Sequence, residues 1–154
     1  MKTIDGDLAG RVIGTSYLDE RNRPVVLTDE EKAFFLMTAA NVIYATRQGV
    51  NVLPADHERL PAHARDALGI HWCSLDSSSE FITIDCYFIH ERYRVERCGD
   101  YALESQTLAE VICHELAHMR YKNHTKYHAA LTAQYVGMYN AFMANAMGQR
   151  RATA

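Results

Sequence analysis

Apolar and polar residues alternate with helical spacing in three parts of this sequence. Thr28 and Glu31 form a capping-box pattern ahead of a helix-forming run that Gly49 ends, which predicts a helix over residues 29–48. Thr107 and Glu110 repeat the pattern and predict a helix over residues 107–122. Apolar residues then recur every three or four positions over residues 125–147, which predicts a last amphipathic helix.

Other segments have the short period of strands. Residues 11–18 and 24–27 predict a hairpin or two short strands. Residues 70–75 and 80–89 predict two strands joined by a loop at residues 76–79. In the second of these strands Ile82, Ile84, Cys86 and Phe88 share one face. Residues 61–68 predict a short helix, and a charged loop is expected over residues 91–100. These elements predict an α+β fold.

Length and composition suggest a single domain over residues 1–154, with its motif-bearing core at about 70–147. No stretch reaches the roughly 18 apolar residues of a membrane span, and the acidic N-terminus is unlike a secretory signal, so we expect a cytoplasmic protein with no membrane partner. The four cysteines lack a CxxC pair and are expected to be free thiols.

Charge is distributed unevenly along the chain. Residues 1–115 hold all 19 acids and 11 of the Lys and Arg residues, whereas residues 116–154 hold five basic residues and no acid. A helical tail with solvated cations explains this pattern, and an anionic partner such as nucleic acid is the alternative. Because no acid follows Glu115, a downstream carboxylate cannot complete a metal site at this position.

The sequence HELAH carries the strongest chemical signal. On a helix, His114 and His118 project from one face and can reach one metal ion. Glu115 lies about 100° around the helix from His114, outside the ligand shell but near a zinc-bound water. This spacing predicts a zinc site at His114 and His118, with Glu115 as the catalytic base.

A third ligand must come from downstream. On a continuous helix His124 would lie about 9 Å along the axis from His118, so the chain has to turn between them. Asn123 suits a left-handed conformation that ends a helix, and the turn would bring His124 back to the metal. His128, one turn further on, is the alternative ligand. His57 and His63, upstream, are expected to be exposed.

The segment HELAHMRYKNHTKYH resembles the metal-binding segment of YgjP-type and SprT-like zinc metallopeptidases, with Asn123-His124-Thr125 in place of their NHS-type turn. Trp72-Cys73-Ser74 and the following strand are similar to the WGSC segment of that family, so the resemblance covers roughly residues 70–131. It implies zinc ligation by His114, His118 and His124, and Glu115 as the general base. It also implies a zincin-like single domain with a small antiparallel sheet, an N-terminal helix, the HExxH helix and a C-terminal helix. Two departures are the missing glycine before Cys73 and His128 where an aromatic residue is usual.

The expected function is that of a zinc-dependent metallopeptidase, which hydrolyses peptide bonds of a protein or peptide substrate by Glu-assisted attack of a zinc-bound water. The strand at residues 80–89 is expected to bind the substrate by edge pairing, and Asp85 to orient the histidines. Tyr121, Tyr127 and His128 are candidate donors to the oxyanion. The alternative is a non-catalytic zinc-binding module of zincin-like fold, with nucleic acid as one kind of partner.

Overall fold

A four-stranded sheet lies at the centre of the fold. The computed structural model describes residues 2–3, 6–74, 78–101 and 106–153. The sheet contains β1 (Lys2–Thr3), β4 (Asn51–Ala55), β5 (Gly69–Cys73) and β6 (Glu80–Asp85), in the order β1-β5-β6-β4. β6 pairs antiparallel with β5 and parallel with β4, and β1 pairs parallel with β5, so the sheet is mixed and the expectation of an antiparallel sheet is wrong. Both edges of β6 are occupied. The prediction that the strand beginning at Glu80 offers a free edge to substrate is therefore wrong.

The N-terminal region contains a helix and a hairpin. α1 (Gly6–Val12) precedes β2 (Ser16–Leu18) and β3 (Pro24–Val26), which pair antiparallel as predicted, although the first strand is shorter than residues 11–18. α2 (Asp29–Thr46) then begins at Thr28, whose hydroxyl accepts from the Glu31 N–H at 3.1 Å while the Glu31 carboxylate accepts from the Thr28 N–H at 2.9 Å. The capping-box prediction is confirmed.

The predicted strand over residues 80–89 ends early. Residues Cys86–Glu96 form helix α3, where a strand and then a charged loop were expected. Asp85 begins this helix, since its Oδ2 accepts from the Phe88 N–H at 3.2 Å and its Oδ1 accepts from the His57 N–H at 3.1 Å. This carboxylate is thus used in capping and does not contact the zinc-ligand candidates. The loop predicted at residues 76–79 lies partly outside the described residues.

The segment between β4 and β5 also differs from its prediction. It contains a single 3₁₀ turn at His57–Arg59, and residues 61–68 form turns and no helix. His57, expected at the surface, is fully buried, with Nδ1 2.6 Å from the Ala67 carbonyl and Nε2 2.8 Å from the Thr83 hydroxyl. The same hydroxyl accepts from the indole N–H of Trp72 at 2.8 Å. His63 is exposed, as predicted.

Two C-terminal helices complete the described fold. α4 (Leu108–His118) begins at Thr107 as predicted but ends four residues before the expected position, and α5 (Lys126–Thr153) extends beyond residue 147. Leu108, Ile112 and Leu116 form a fully buried stripe of α4, each worth about 1.5–3 kcal/mol of burial. They pack in the main core with Ile82 and Ile84 of β6. This packing fixes α4 across the sheet.

These elements establish a mixed α+β fold. Cys86, Cys98 and Cys113 are free thiols, as predicted. Among the described helices, none combines the length and apolar character that crossing a membrane requires.

Candidate metal and catalytic site

The last turn of α4 and the chain after it bring four histidines together. α4 ends at His118 because the chain turns through Met119 and Arg120, whose N–H groups donate to the carbonyls of Leu116 and Ala117. Non-glycine residues with positive φ are Asn22 and Arg47, so the left-handed conformation predicted at Asn123 does not occur. The predicted change of direction does occur and places His124 against the helix.

The Nε2 atoms of three histidines converge. His124 Nε2 lies 3.1 Å from the Nε2 of His114 and 3.1 Å from that of His118. One ring nitrogen carries either one hydrogen or one lone pair, so it cannot form good hydrogen bonds to both neighbours. Tetrahedral ligands about 2.0–2.1 Å from zinc lie roughly 3.3 Å apart, which is close to the observed spacing. The arrangement fits a shared metal ion.

Hydrogen bonding and burial prepare His118 for metal binding. Its Nδ1 lies 2.9 Å from the Tyr121 carbonyl, so the ring donates there and leaves the lone pair on Nε2. Burial, together with the charges of neighbouring histidines, lowers the pKa of His114 and of His118 to about 4, and at His118 the hydrogen bond with the Tyr121 carbonyl opposes the fall. Both rings are therefore neutral near pH 7, as metal ligation requires.

His128 is the fourth member of the cluster. It is buried, its ring stacks on His118 with centroids 4.1 Å apart, and its Nε2 lies 3.0 Å from the His114 carbonyl. Nitrogen atoms of His114, His118 and His128 lie within 4.8 Å of one another, so this second set of three is also compact enough for a metal. The Nε2 of His128 is engaged with the helix backbone, however, whereas the Nε2 of His124 points at the other two rings.

Glu115 lies beside the histidines and is buried. Its Oε1 is 3.9 Å from His114 Nε2, and its carboxylate accepts the backbone N–H of His71 in β5. Burial raises the pKa of Glu115 to about 7, and the hydrogen bond from His71 opposes that rise. The carboxylate is held in place from the strand, which sequence reasoning did not anticipate.

Gly69 allows α4 to pack closely on β5. A Cβ at this position would lie 2.7 Å from Glu115 Cγ, 3.1 Å from Val111 Cγ1 and 3.2 Å from Ile84 Cδ1. Gly69 lies between the short helix predicted over residues 61–68 and the strand predicted from residue 70, and no role at the site was predicted for it. A glycine that begins a strand can indicate such a close approach, and this was the available signal.

A cavity of about 350 Å³ opens beside this site. The residues around it are Ala67, Leu68, Gly69, Ile70, His71, Gln106, Val111, His114, Glu115, His118 and His124. Tyr121 and Tyr127 are outside this lining, and their rings stack on each other with centroids 6.0 Å apart. The start of β5 therefore forms one wall of the cavity and the HExxH helix forms another.

No protein-family model matches this chain, and comparisons with curated proteins and with solved structures find no significant match.

Proposed function

We propose that this chain is a zinc-dependent metallopeptidase of zincin-like fold, akin to the YgjP-type and SprT-like enzymes. The observation that carries the proposal is the convergence of three Nε2 atoms, from His114, His118 and His124, next to a buried carboxylate. A structural zinc site is closed by four protein ligands, whereas three histidines leave a position open. Glu115 beside that position suits hydrolysis.

The residues present fit a metal. His114, His118 and His124 would hold it, because His118 presents Nε2 and His128 uses its own Nε2 on the His114 carbonyl. Three imidazoles with one open position form a known catalytic zinc set. When bound, zinc supplies Lewis acidity, which polarises a peptide carbonyl and makes water a better nucleophile at neutral pH.

Glu115 acts as the proton carrier in this proposal. Its carboxylate takes a proton from the attacking water as the new C–O bond forms at the peptide carbonyl carbon. It then delivers that proton to the amine nitrogen as the C–N bond breaks. The His71 N–H fixes the carboxylate during both transfers, because it anchors Glu115 to a strand of the central sheet.

The substrate lies along the start of β5 in this proposal. In an antiparallel pair, alternate residues direct their N–H and C=O groups towards and away from the neighbouring strand. The His71 N–H reaches Glu115, so it points away from β6, and Gly69, two residues earlier, points the same way. In the described part of the chain β1 pairs with Trp72 and Cys73, and the Gly69 edge faces the cavity, where an extended peptide can pair with it.

Metal content tests the ligand set. Purified without a histidine tag, the wild-type chain is expected to bind one zinc per chain by mass spectrometry. His114→Ala, His118→Ala and His124→Ala should each lose zinc, while the exposed His63→Ala is the matched control. His128→Phe should retain it, because a phenyl ring preserves the stacking on His118. Loss of zinc in His128→Phe together with its retention in His124→Ala would identify His128 as the third ligand.

Hydrolysis of an unfolded protein substrate tests the activity. Glu115→Gln should retain zinc and lose about 10²- to 10⁴-fold in kcat, the usual contribution of a general base. A wild-type chain that takes up no zinc contradicts the whole proposal. A chain that binds zinc and cleaves none of a broad set of peptides is instead the non-catalytic zinc module.

A further inference from the structure

The outward face of α2 is apolar over three turns. Leu36, Met37 and Tyr44 are 62%, 56% and 73% exposed, and Ala33 and Ala40 are exposed on the same side of the helix. The Tyr44 ring also contacts Phe142 of α5, with centroids 5.2 Å apart. The opposite face, which includes Phe34, Phe35, Ala39 and Val42, packs into the main core. A helix that is apolar on both faces is normally buried on both. The outward face of α2 is therefore suited to a partner.

The spacing of the exposed residues specifies what kind of partner fits. Glu30, Ala33, Met37, Ala40, Tyr44 and Arg47 are all exposed and follow one another at intervals of three, four, three, four and three. This is the spacing of the contact positions in a two-stranded coiled coil. The two end positions carry opposite charges, and neither Glu30 nor Arg47 has an ion pair within the described part of the chain.

We propose that α2 pairs antiparallel with α2 of a second copy of this chain, around a twofold axis that passes between Met37 and Ala40. In that register Glu30 faces Arg47 of the second copy, and the symmetric contact repeats at the other end. Between them Ala33 faces Tyr44 and Met37 faces Ala40. Each large side chain meets an alanine, so the two helices can approach closely, and one surface serves both copies.

A parallel pair fits this surface poorly. It would place Glu30 beside Glu30 and Tyr44 beside Tyr44, with like charges at both ends and no small residue opposite the ring. Like-charge contacts at the ends of a coiled coil disfavour the helix orientation that creates them, here the parallel one. The antiparallel register satisfies both the charges and the side-chain sizes.

This surface is separate from the proposed catalytic site, because none of its six contact positions lines the cavity at Glu115. Its test therefore does not depend on zinc or on hydrolysis. The expected result is a wild-type mass near twice 17.5 kDa by analytical ultracentrifugation and light scattering. Met37→Glu should give monomers with an unchanged circular dichroism spectrum, because residue 37 is exposed within one copy. Glu20→Arg, in the exposed β2–β3 turn, is the matched surface control and should stay dimeric.

Charge reversal tests the register. Glu30→Arg and Arg47→Glu each create two like-charge contacts and should each weaken dimerisation by about tenfold. The double variant restores opposite charges and should return to within about twofold of the wild type. A monomeric wild type, a dimer that persists in Met37→Glu, or a double variant no tighter than the single ones each overturns the proposal.

Discussion

Replacing Gly69 with alanine should separate zinc binding from catalysis. The added Cβ would lie 2.7 Å from Glu115 Cγ, about 0.7 Å inside the 3.4 Å at which ordinary contact begins. Cγ lies mid-chain between a fixed helix and the carboxylate, so relief of the clash must move the carboxylate. A displacement near 1 Å costs about 10²-fold in rate. We therefore expect kcat to fall by about that factor while zinc content stays at the wild-type level.

Stability gives a second measure of the same contact. Overpacking of this size costs about 1–3 kcal/mol in the free energy of unfolding, which urea titration can resolve. In a Glu115→Ala background Cγ is absent, so the cost of Gly69→Ala should fall by roughly 1 kcal/mol. The contacts to Val111 and Ile84 remain and keep part of the cost.

Gly137→Ala is the control, because a Cβ there meets no atom within 4 Å and a helix favours alanine. That variant should keep full activity and gain up to about 1 kcal/mol. If Gly69→Ala hydrolyses peptide at the wild-type rate, Glu115 is not held by this packing and the argument for close approach is refuted.

Further predictions concern stability. Thr28→Ala removes the capping hydroxyl that accepts from Glu31, and should cost about 1 kcal/mol in urea unfolding, whereas Thr28→Ser should cost little. His57→Phe leaves the Ala67 carbonyl without the His57 ring and breaks the hydrogen bond between that ring and the Thr83 hydroxyl, to which Trp72 still donates; it should cost about 2–4 kcal/mol, and a neutral result would contradict the assigned bonds. Burial raises the pKa of Asp85 from 3.8 to about 6, so the folded state holds this proton more tightly than the unfolded state does. Wild-type stability should consequently fall by up to about 3 kcal/mol as pH rises between these values, and Asp85→Asn should flatten that fall; parallel pH curves for the two proteins would refute it.

Helix beginnings were predictable where side chains and backbone cap one another locally. The hydroxyls of Thr28 and Thr107 begin α2 and α4 as expected, because a cap needs only residues three positions apart. The strand-to-helix change at Asp85 was missed, since Ile82, Ile84, Cys86 and Phe88 alternate across it. Asp85 is a preferred N-cap residue, and its cap is the local hydrogen bond from the Phe88 N–H, but the strand-like alternation of the apolar residues obscured this signal.

The candidate site was partly predictable for the same reason. The spacing of His114, Glu115 and His118 follows from helix geometry alone, and the need for a turn before His124 follows from distance. The cavity wall formed by Gly69 and His71 depends on how α4 crosses β5. That crossing is set by contacts with Glu115, more than 40 positions away in the sequence. The substrate strand was wrongly placed at residues 80–89 for the same reason, because the order of strands in a sheet depends on residues far apart in the sequence.

The position of Trp72 gives the protein an internal optical reporter. This single tryptophan belongs to β5, the strand that begins at Gly69, and is 2% exposed. Its ring stacks on Phe81 and its indole N–H donates to the Thr83 hydroxyl. Its emission will therefore come from a dry environment while that strand is paired, and will shift to the red when water reaches the indole. Fluorescence from the native chain, with no added label, can thus distinguish loss of the cavity wall from fraying of α5, which begins at Lys126, far from Trp72 in the sequence.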